Sequence, residues 1–197
     1  LPPTLKIMQT GEPVLRQSAR TLTVDELATP RMQLLIELMR DTMREAPGVG
    51  LAAPQIGEAL RLVVIEDSRP QAHLTEEQLA ARERGAVPFH VLVNPTLAIE
   101  GDELIHAFEG CLSFEGFTMV VPRARRVRVD ALDEHGKSVA ITASGWYARI
   151  LQHEIDHLNG VLCCDRMEPR TLMTVDNAAR LWRDKSVDEI RAELRSP

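Results

Sequence analysis

Gln152-His153-Glu154-Ile155-Asp156-His157 is the stretch on which the reading of this 197-residue chain turns. At about 3.6 residues per helical turn, positions four apart lie almost above one another, so His153 and His157 can reach one cation together. Glu154 then stands beside that cation rather than on it. The H-E-x-x-H spacing is the one with which metal-dependent hydrolases hold a divalent ion and a general base. A surface helix that happens to carry two histidines would read the same over five residues, so the surroundings have to decide. Ser144-Gly145-Trp146 offers a helix start and Asn159-Gly160 a stop, which predicts a helix over about 145–158. Trp146, Ile150, Leu151, Ile155 and Leu158 give it an apolar stripe broad enough for a central helix, and such an element turns its histidines inward.

Two histidines leave a metal under-coordinated. Cys111 is the best third ligand: in Glu109-Gly110-Cys111-Leu112-Ser113 a glycine lets the backbone come close, and a thiolate suits a borderline-soft cation. Its alternative is the commoner fate of a free cysteine, a small buried hydrophobe. A third block, Gly48-Val49-Gly50-Leu51-Ala52-Ala53-Pro54-Gln55-Ile56-Gly57, sets one uncharged polar side chain among small residues. The Gln55 amide can stabilise an oxygen that gains negative charge during attack on a carbonyl. The alternative there is a glycine-rich turn between a helix and a strand. It is not a phosphate loop, because the G-x-x-x-x-G-K-[ST] pattern is missing.

Taken together, the segments 48–57, 109–113 and 152–160 resemble the three sequence motifs of the peptide deformylase family, in the right order and at compatible spacings. Val93-Asn94-Pro95, Val121-Pro122-Arg123, Ala143-Ser144-Gly145 and Asp165-Arg166-Met167 are similar to its connecting segments. The resemblance implies that Cys111, His153 and His157 are ligands of one divalent metal, with iron(II) as the physiological ion and zinc, nickel or cobalt able to occupy the site. It implies that Glu154 is the general acid/base and that Gln55 and the backbone N–H of Leu112 hold the formyl oxygen. The expected activity is removal of the N-formyl group from the initiator methionine of newly made polypeptides, with release of formate.

The same resemblance assigns the substrate contacts. An extended formyl-methionyl peptide would pair with backbone around Val49, Gly50 and Gly110, and its methionine pocket would be walled by Val49, Glu109, Trp146, Ile150 and His153. A buried carboxylate at Glu109 needs a partner, and Arg123 is the expected one. Arg125, Arg126 and Arg128 read as a solvated strand edge. Phe114-Glu115-Gly116 departs from the aliphatic residue and proline common in the family, which bears on side-chain preference and not on the metal.

Composition is consistent with one catalytic domain over residues 1–197. With 44% hydrophobic and 26% charged residues the chain can bury a core without disulfide staples. A net charge of −6 argues against nucleic-acid binding in general. No run of about 18 apolar residues suggests a membrane span. Three cysteines, two of them adjacent, point to a reducing compartment: the cytoplasm, or an organelle matrix if a presequence has been removed.

The expected fold is α+β, with mixed or antiparallel sheets around the central metal-binding helix, an N-terminal helix and a C-terminal helix. The N-terminal helix is predicted over about 25–45 with Leu34, Leu35, Leu38 and Met39 inward, and strands near 60–66, 90–99, 104–108, 118–121, 125–132 and 138–143. Cys163 and Cys164 read as the core of a strand from Val161 to Asp165. An insertion at 67–88 carries a short helix over 75–83 and has no readable role. His73, His90, His106 and His135 lack partners at ligand spacing. The charged amphipathic segment Val187 to Arg195 is a helix that docks bacterial relatives on the ribosome or simply packs on its own domain. Two other functions fit the motifs less completely: a zinc peptidase of broader specificity, and a metal-stabilised binding protein without turnover.

Overall fold

The computed structural model describes residues 4–67 and 75–195. In chain order the elements are α1 (Val24–Leu27), α2 (Pro30–Glu45), β1 (Gly50–Ala52), β2 (Leu62–Asp67), α3 (Glu76–Ala81), β3 (Val87–Ile99), β4 (Leu104–Glu109), β5 (Phe117–Ala124), β6 (Arg126–Leu132), β7 (Ser138–Ser144), α4 (Gly145–Leu158), α5 (Cys163–Arg166), β8 (Met173–Thr174), α6 (Val175–Leu181) and α7 (Val187–Arg195). Two sheets form, in the orders β1-β2-β3-β6-β7 and β4-β5-β8, and each pairing within them is antiparallel. This is the expected α+β architecture; among the described residues the only parallel pairing is the isolated bridge between Arg20 and Leu60.

Strand β2 shows why the core has two halves. Its Leu62-Val63-Val64-Ile65 run is fully buried, because successive side chains point to opposite faces and both faces are covered. Val63 and Ile65 meet Ala148, Ile150, Leu151, Ile155 and Leu158 of α4, together with Val127 and Val129 of β6. Leu62 and Val64 meet Met32, Ile36, Met39 and Met43 of α2. Helix α4 therefore lies on one face of the larger sheet and α2 on the other.

Two local expectations are corrected. The predicted 25–45 helix is broken before Pro30: the residue preceding a proline is pushed out of the helical region, and Thr29 serves as N-cap, accepting a hydrogen bond from Met32 N–H at 3.3 Å. The buried stripe of α2 is Met32, Ile36, Met39 and Met43, whereas Leu34 is exposed. The predicted strand through Cys163 and Cys164 is the short helix α5, whose entry is fixed by Asp165 accepting from Leu162 N–H at 2.8 Å. Cys163 is buried there against Cys111, Met119 and Val121.

The remaining predicted helix and strand positions stand. Six strands and the 145–158 helix lie where the alternation and the stop signals put them, and α3 occupies the short-helix position in the insertion. Part of that insertion, and His73, lie outside the described residues. Helix α7 packs back on the domain: Ile190 is buried, and Arg191 and Arg195 both donate to Glu168. No helix among the described residues is long and apolar enough to cross a membrane.

Candidate metal centre and active site

Helix α4 supplies two of the site's three candidate ligands, and the bend after β4 supplies the third. One ligand atom each from Cys111, His153 and His157 lie within 4.8 Å of one another. Cys111 Sγ is 3.3 Å from His157 Nε2, and the two imidazole rings are 5.0 Å apart at their centroids. His153 Nδ1 is held by Glu109 Oε2 at 2.9 Å, which leaves Nε2 as its free donor and fixes the ring. Burial holds the His157 imidazole well below its ordinary pKa and hence neutral, the state a metal requires. Contact with Cys163 first, and burial second, push the Cys111 thiol well up; a cation beside the sulfur reverses that preference. One sulfur and two imidazoles, converging at the floor of a cavity with only His157 fully buried, fit a divalent ion of the zinc or iron(II) kind.

Glu154 is not part of this donor set but lies close enough for its charge to act on Cys111 and His153. Burial pushes its carboxyl up to about 7, and one of its oxygens is buried without a hydrogen-bond partner. Gly50 makes room for it: a Cβ at residue 50 would collide with the Glu154 carboxylate and lie 2.7 Å from its Cγ. The Gly50 position thus couples the small-residue block to the helix motif. Gln55 is anchored from behind. Its Oε1 accepts the Ala52 N–H at 2.8 Å, which turns Nε2 toward Cys111 Sγ at 3.7 Å and Ser113 Oγ at 3.2 Å. Neighbouring Leu112 accepts from the Gln9 side chain at its carbonyl, at 2.9 Å.

A cavity of about 1150 Å³ opens over these groups. Val49, Gly50, Gln55, Glu109, Gly110, Cys111, Leu112, Trp146, Ile150, His153 and Glu154 all line it, so the predicted residues are brought to one place; His157 sits beneath, almost fully buried. Strand β1 is the edge of its sheet.

The expected Glu109–Arg123 pair is present and is part of something larger. Arg123 holds both Glu109 oxygens, at 2.9 and 3.0 Å, while Arg149 donates to Glu109 Oε1 at 2.6 Å. Arg123 also reaches Asp156, which Arg166 grips with two bonds at 2.7 and 2.8 Å. Burial alone would raise the Glu109 pKa, but hydrogen bonds from His153 and Arg123 win and hold it well below the carboxylate range. The motif reading missed Arg149, Asp156, Arg166 and Ser113. An arginine four residues before His153, on the same face of the predicted helix, was the available signal for Arg149.

A sequence profile of the family described as polypeptide deformylase matches residues 4–172. The chain belongs to the polypeptide deformylase family. It is 45% identical over 172 residues to peptide deformylase 1A, chloroplastic, of Solanum lycopersicum, covering 87% of this chain and 62% of that protein. The chain thus spans just under two thirds of the length of that plant relative. Peptide deformylase 3 of Streptomyces avermitilis is 45% identical over 190 residues, 96% of this chain and 83% of its own. Among solved structures, the Met-Ala-Ser-bound class I type b peptide deformylase of Acinetobacter baumannii superposes with a TM-score of 0.75 at 33% identity, covering 85% of this chain and all of that one. The match of this deformylase-family chain thus extends well beyond the three motifs.

Proposed function

We propose that the chain is a metal-dependent amide hydrolase that removes the N-formyl group from the initiator methionine of newly made polypeptides and releases formate. The convergence of Cys111, His153 and His157 within 4.8 Å, beside a cavity that also holds Glu154 and Gln55, carries this reading. The three residues would hold one divalent metal, iron(II) in the cell and zinc, nickel or cobalt as substitutes. Such an ion, when bound, supplies Lewis acidity and makes a water at the site acidic near neutral pH.

The protein's own groups do the rest. Glu154 takes the proton of the water that adds to the formyl carbon, and returns it to the amine as the carbon–nitrogen bond breaks. A carboxyl raised by burial to about 7 is poised for both transfers. Gln55 Nε2 and the Leu112 N–H donate to the formyl oxygen as it gains charge. The substrate backbone pairs along Val49, Gly50 and Gly110, and its methionine side chain enters between Val49, Glu109, Trp146, Ile150 and His153. Glu109 can wall an apolar pocket because Arg123 and Arg149 neutralise it. The likeness to a deformylase that holds Met-Ala-Ser supports this assignment.

The partner is then a nascent formyl-methionyl chain, in the cytoplasm or in an organelle matrix where translation starts with formyl-methionine. Any ribosome contact would use the outer charged face of α7, since Ile190 is engaged within the fold. The test is formate release from formyl-Met-Ala-Ser by anaerobically prepared, iron-loaded protein, with acetyl-Met-Ala-Ser and Met-Ala-Ser as controls. Release from the formyl peptide alone is expected. Cleavage of internal bonds would make the chain a peptidase, and silence with metal bound would make it a binding protein.

A further inference from the structure

The insertion that carries no readable role in the sequence is tied to the wall of the cavity. After α3, the turn Arg82-Glu83-Arg84 lies against the start of α4. The Trp146 N–H donates to the Arg82 carbonyl at 3.0 Å. Gly145 has φ +59, and a Cβ there would collide with that of Glu83 and lie 2.8 Å from the Arg82 oxygen, so the two backbones press directly on each other. Glu83 itself sits at φ +47, a conformation that a non-glycine residue keeps only when its surroundings impose it. They do: the Ser144 side chain and Arg125 both hydrogen-bond its carboxylate, Arg125 Nε at 2.8 Å.

Arg84 makes the decisive contact. Its guanidinium grips Asp67 with two bonds, at 2.8 and 3.0 Å, and lies over the Trp146 ring with its carbon 4.7 Å from the centroid. The Arg84 and Asp67 side chains are 9% and 2% exposed, so the cation–ring contact is built into the protein and not a passing surface contact. Trp146 lines the cavity, and its indole N–H is buried with no acceptor among the described residues. No hydrogen bond therefore fixes the rotation of the ring. The Arg84 guanidinium lies over its face.

We infer that Arg84, carried by the inserted turn and clamped by Asp67, is a positioning residue for substrate selectivity: it sets Trp146 as the rigid wall against which the first side chain of the substrate is measured. This rests on the deformylase reading above. A pocket wall that shifts by the width of a methylene alters discrimination by roughly one to two orders of magnitude, whereas the reacting groups on Cys111, His153, His157 and Glu154 stay where they are. The insertion is on this view part of the specificity apparatus.

The test uses iron-loaded full-length protein in which Trp182, the second of two tryptophans, is replaced by phenylalanine so that Trp146 reports alone. Arg84→Ala and Arg84→Lys are compared with this parent by Trp146 emission, by metal content, and by kcat and KM on formyl-Met-Ala-Ser and formyl-Phe-Ala-Ser. Arg84→Ala is expected to red-shift the emission, to raise KM for the methionine peptide roughly fivefold with kcat within about twofold, and to lower the methionine-over-phenylalanine preference about tenfold. Arg84→Lys, which keeps the charge near Asp67 and loses the guanidinium's two-pronged grip and its place over the ring, should fall between. An unchanged emission and preference in both variants overturns the inference, as does a fall of kcat and metal content in step with the rise of KM. If the parent releases no formate from either peptide, the deformylase reading fails; the emission of Arg84→Ala then still decides whether Arg84 holds the ring.

Discussion

Glu109 and Glu168 are built to the same plan and have different consequences. Each carboxylate is held by two arginines and faces a histidine: Arg123, Arg149 and His153 around Glu109, and Arg191, Arg195 and His106 around Glu168. The Glu109 side chain is 4% exposed and that of Glu168 18%, and the arginines differ more, 3% and 5% against 15% and 62%. The first cluster is almost wholly enclosed and meets most of its charges internally. The second can borrow from solvent. The histidines also lead to different places, since His153 carries on to the candidate metal and His106 ends at α7. The same pairing is therefore a foundation of the site in one region and a fastening of a terminal helix in the other.

The largest effect should come from Glu154, a buried carboxylate that neither cluster neutralises. Glu154→Ala is expected to lower kcat by about 10²–10⁴ while iron content stays at the wild-type level, because the residue moves protons and holds no ligand. Cys111→Ala should show the reverse order, with metal content falling first. Metal analysis beside formate release separates the two, and a Glu154→Ala protein with full turnover would sink the mechanism.

Glu109→Gln comes next. It leaves Arg123, Arg149 and His153 short of a charge in an enclosed site, so a stability loss of about 3–5 kcal/mol is expected in denaturant unfolding. Its loss of hold on the His153 ring should weaken metal binding about 10–100-fold, read by competition with a chelator. Equal behaviour of Glu109→Gln and Glu168→Gln in both measurements would break the comparison.

How much of this was legible beforehand follows from what each signal depends on. His153, Glu154 and His157 are readable because four-residue spacing on a helix is local, and Cys111 and Gln55 because their small neighbours mark close backbone approach. The strands from Leu62 onward are readable because alternation survives without knowledge of partners. The inward face of α2 was misread at Leu34, since several apolar residues compete for the stripe and only the packing against Leu62 and Val64 decides between them. Cys163 was misread because a short apolar run has no period; the bond from Leu162 to Asp165 makes it helical. The Arg149–Glu109–Arg123–Asp156–Arg166 chain joins two strands and two helices, β4, β5, α4 and α5. A charge pattern does not reveal which charges will be enclosed together, so Arg123 alone was foreseeable, through the need of Glu109 for a partner.

The smallest effect tests the solvated half of the comparison. Burial alone would raise the Glu168 pKa, but hydrogen bonds and charge from Arg191 and then Arg195 hold it below the ordinary glutamate value. A folded pKa lower than the unfolded one means that the stabilisation is complete above the unfolded value, about 4.3, and is lost as pH falls through the folded one. Glu168→Gln should therefore cost about 0.2–1 kcal/mol at neutral pH, the range of partly exposed pairs, and less as salt is added. In acid the variant and the wild type should converge. Because α7 keeps the buried Ile190 contact, hydrogen exchange should quicken in Val187–Arg195 and stay unchanged in α4. Faster exchange in α4 as well would mean that the C-terminal cluster also supports the site, and the two glutamates would then differ in degree only.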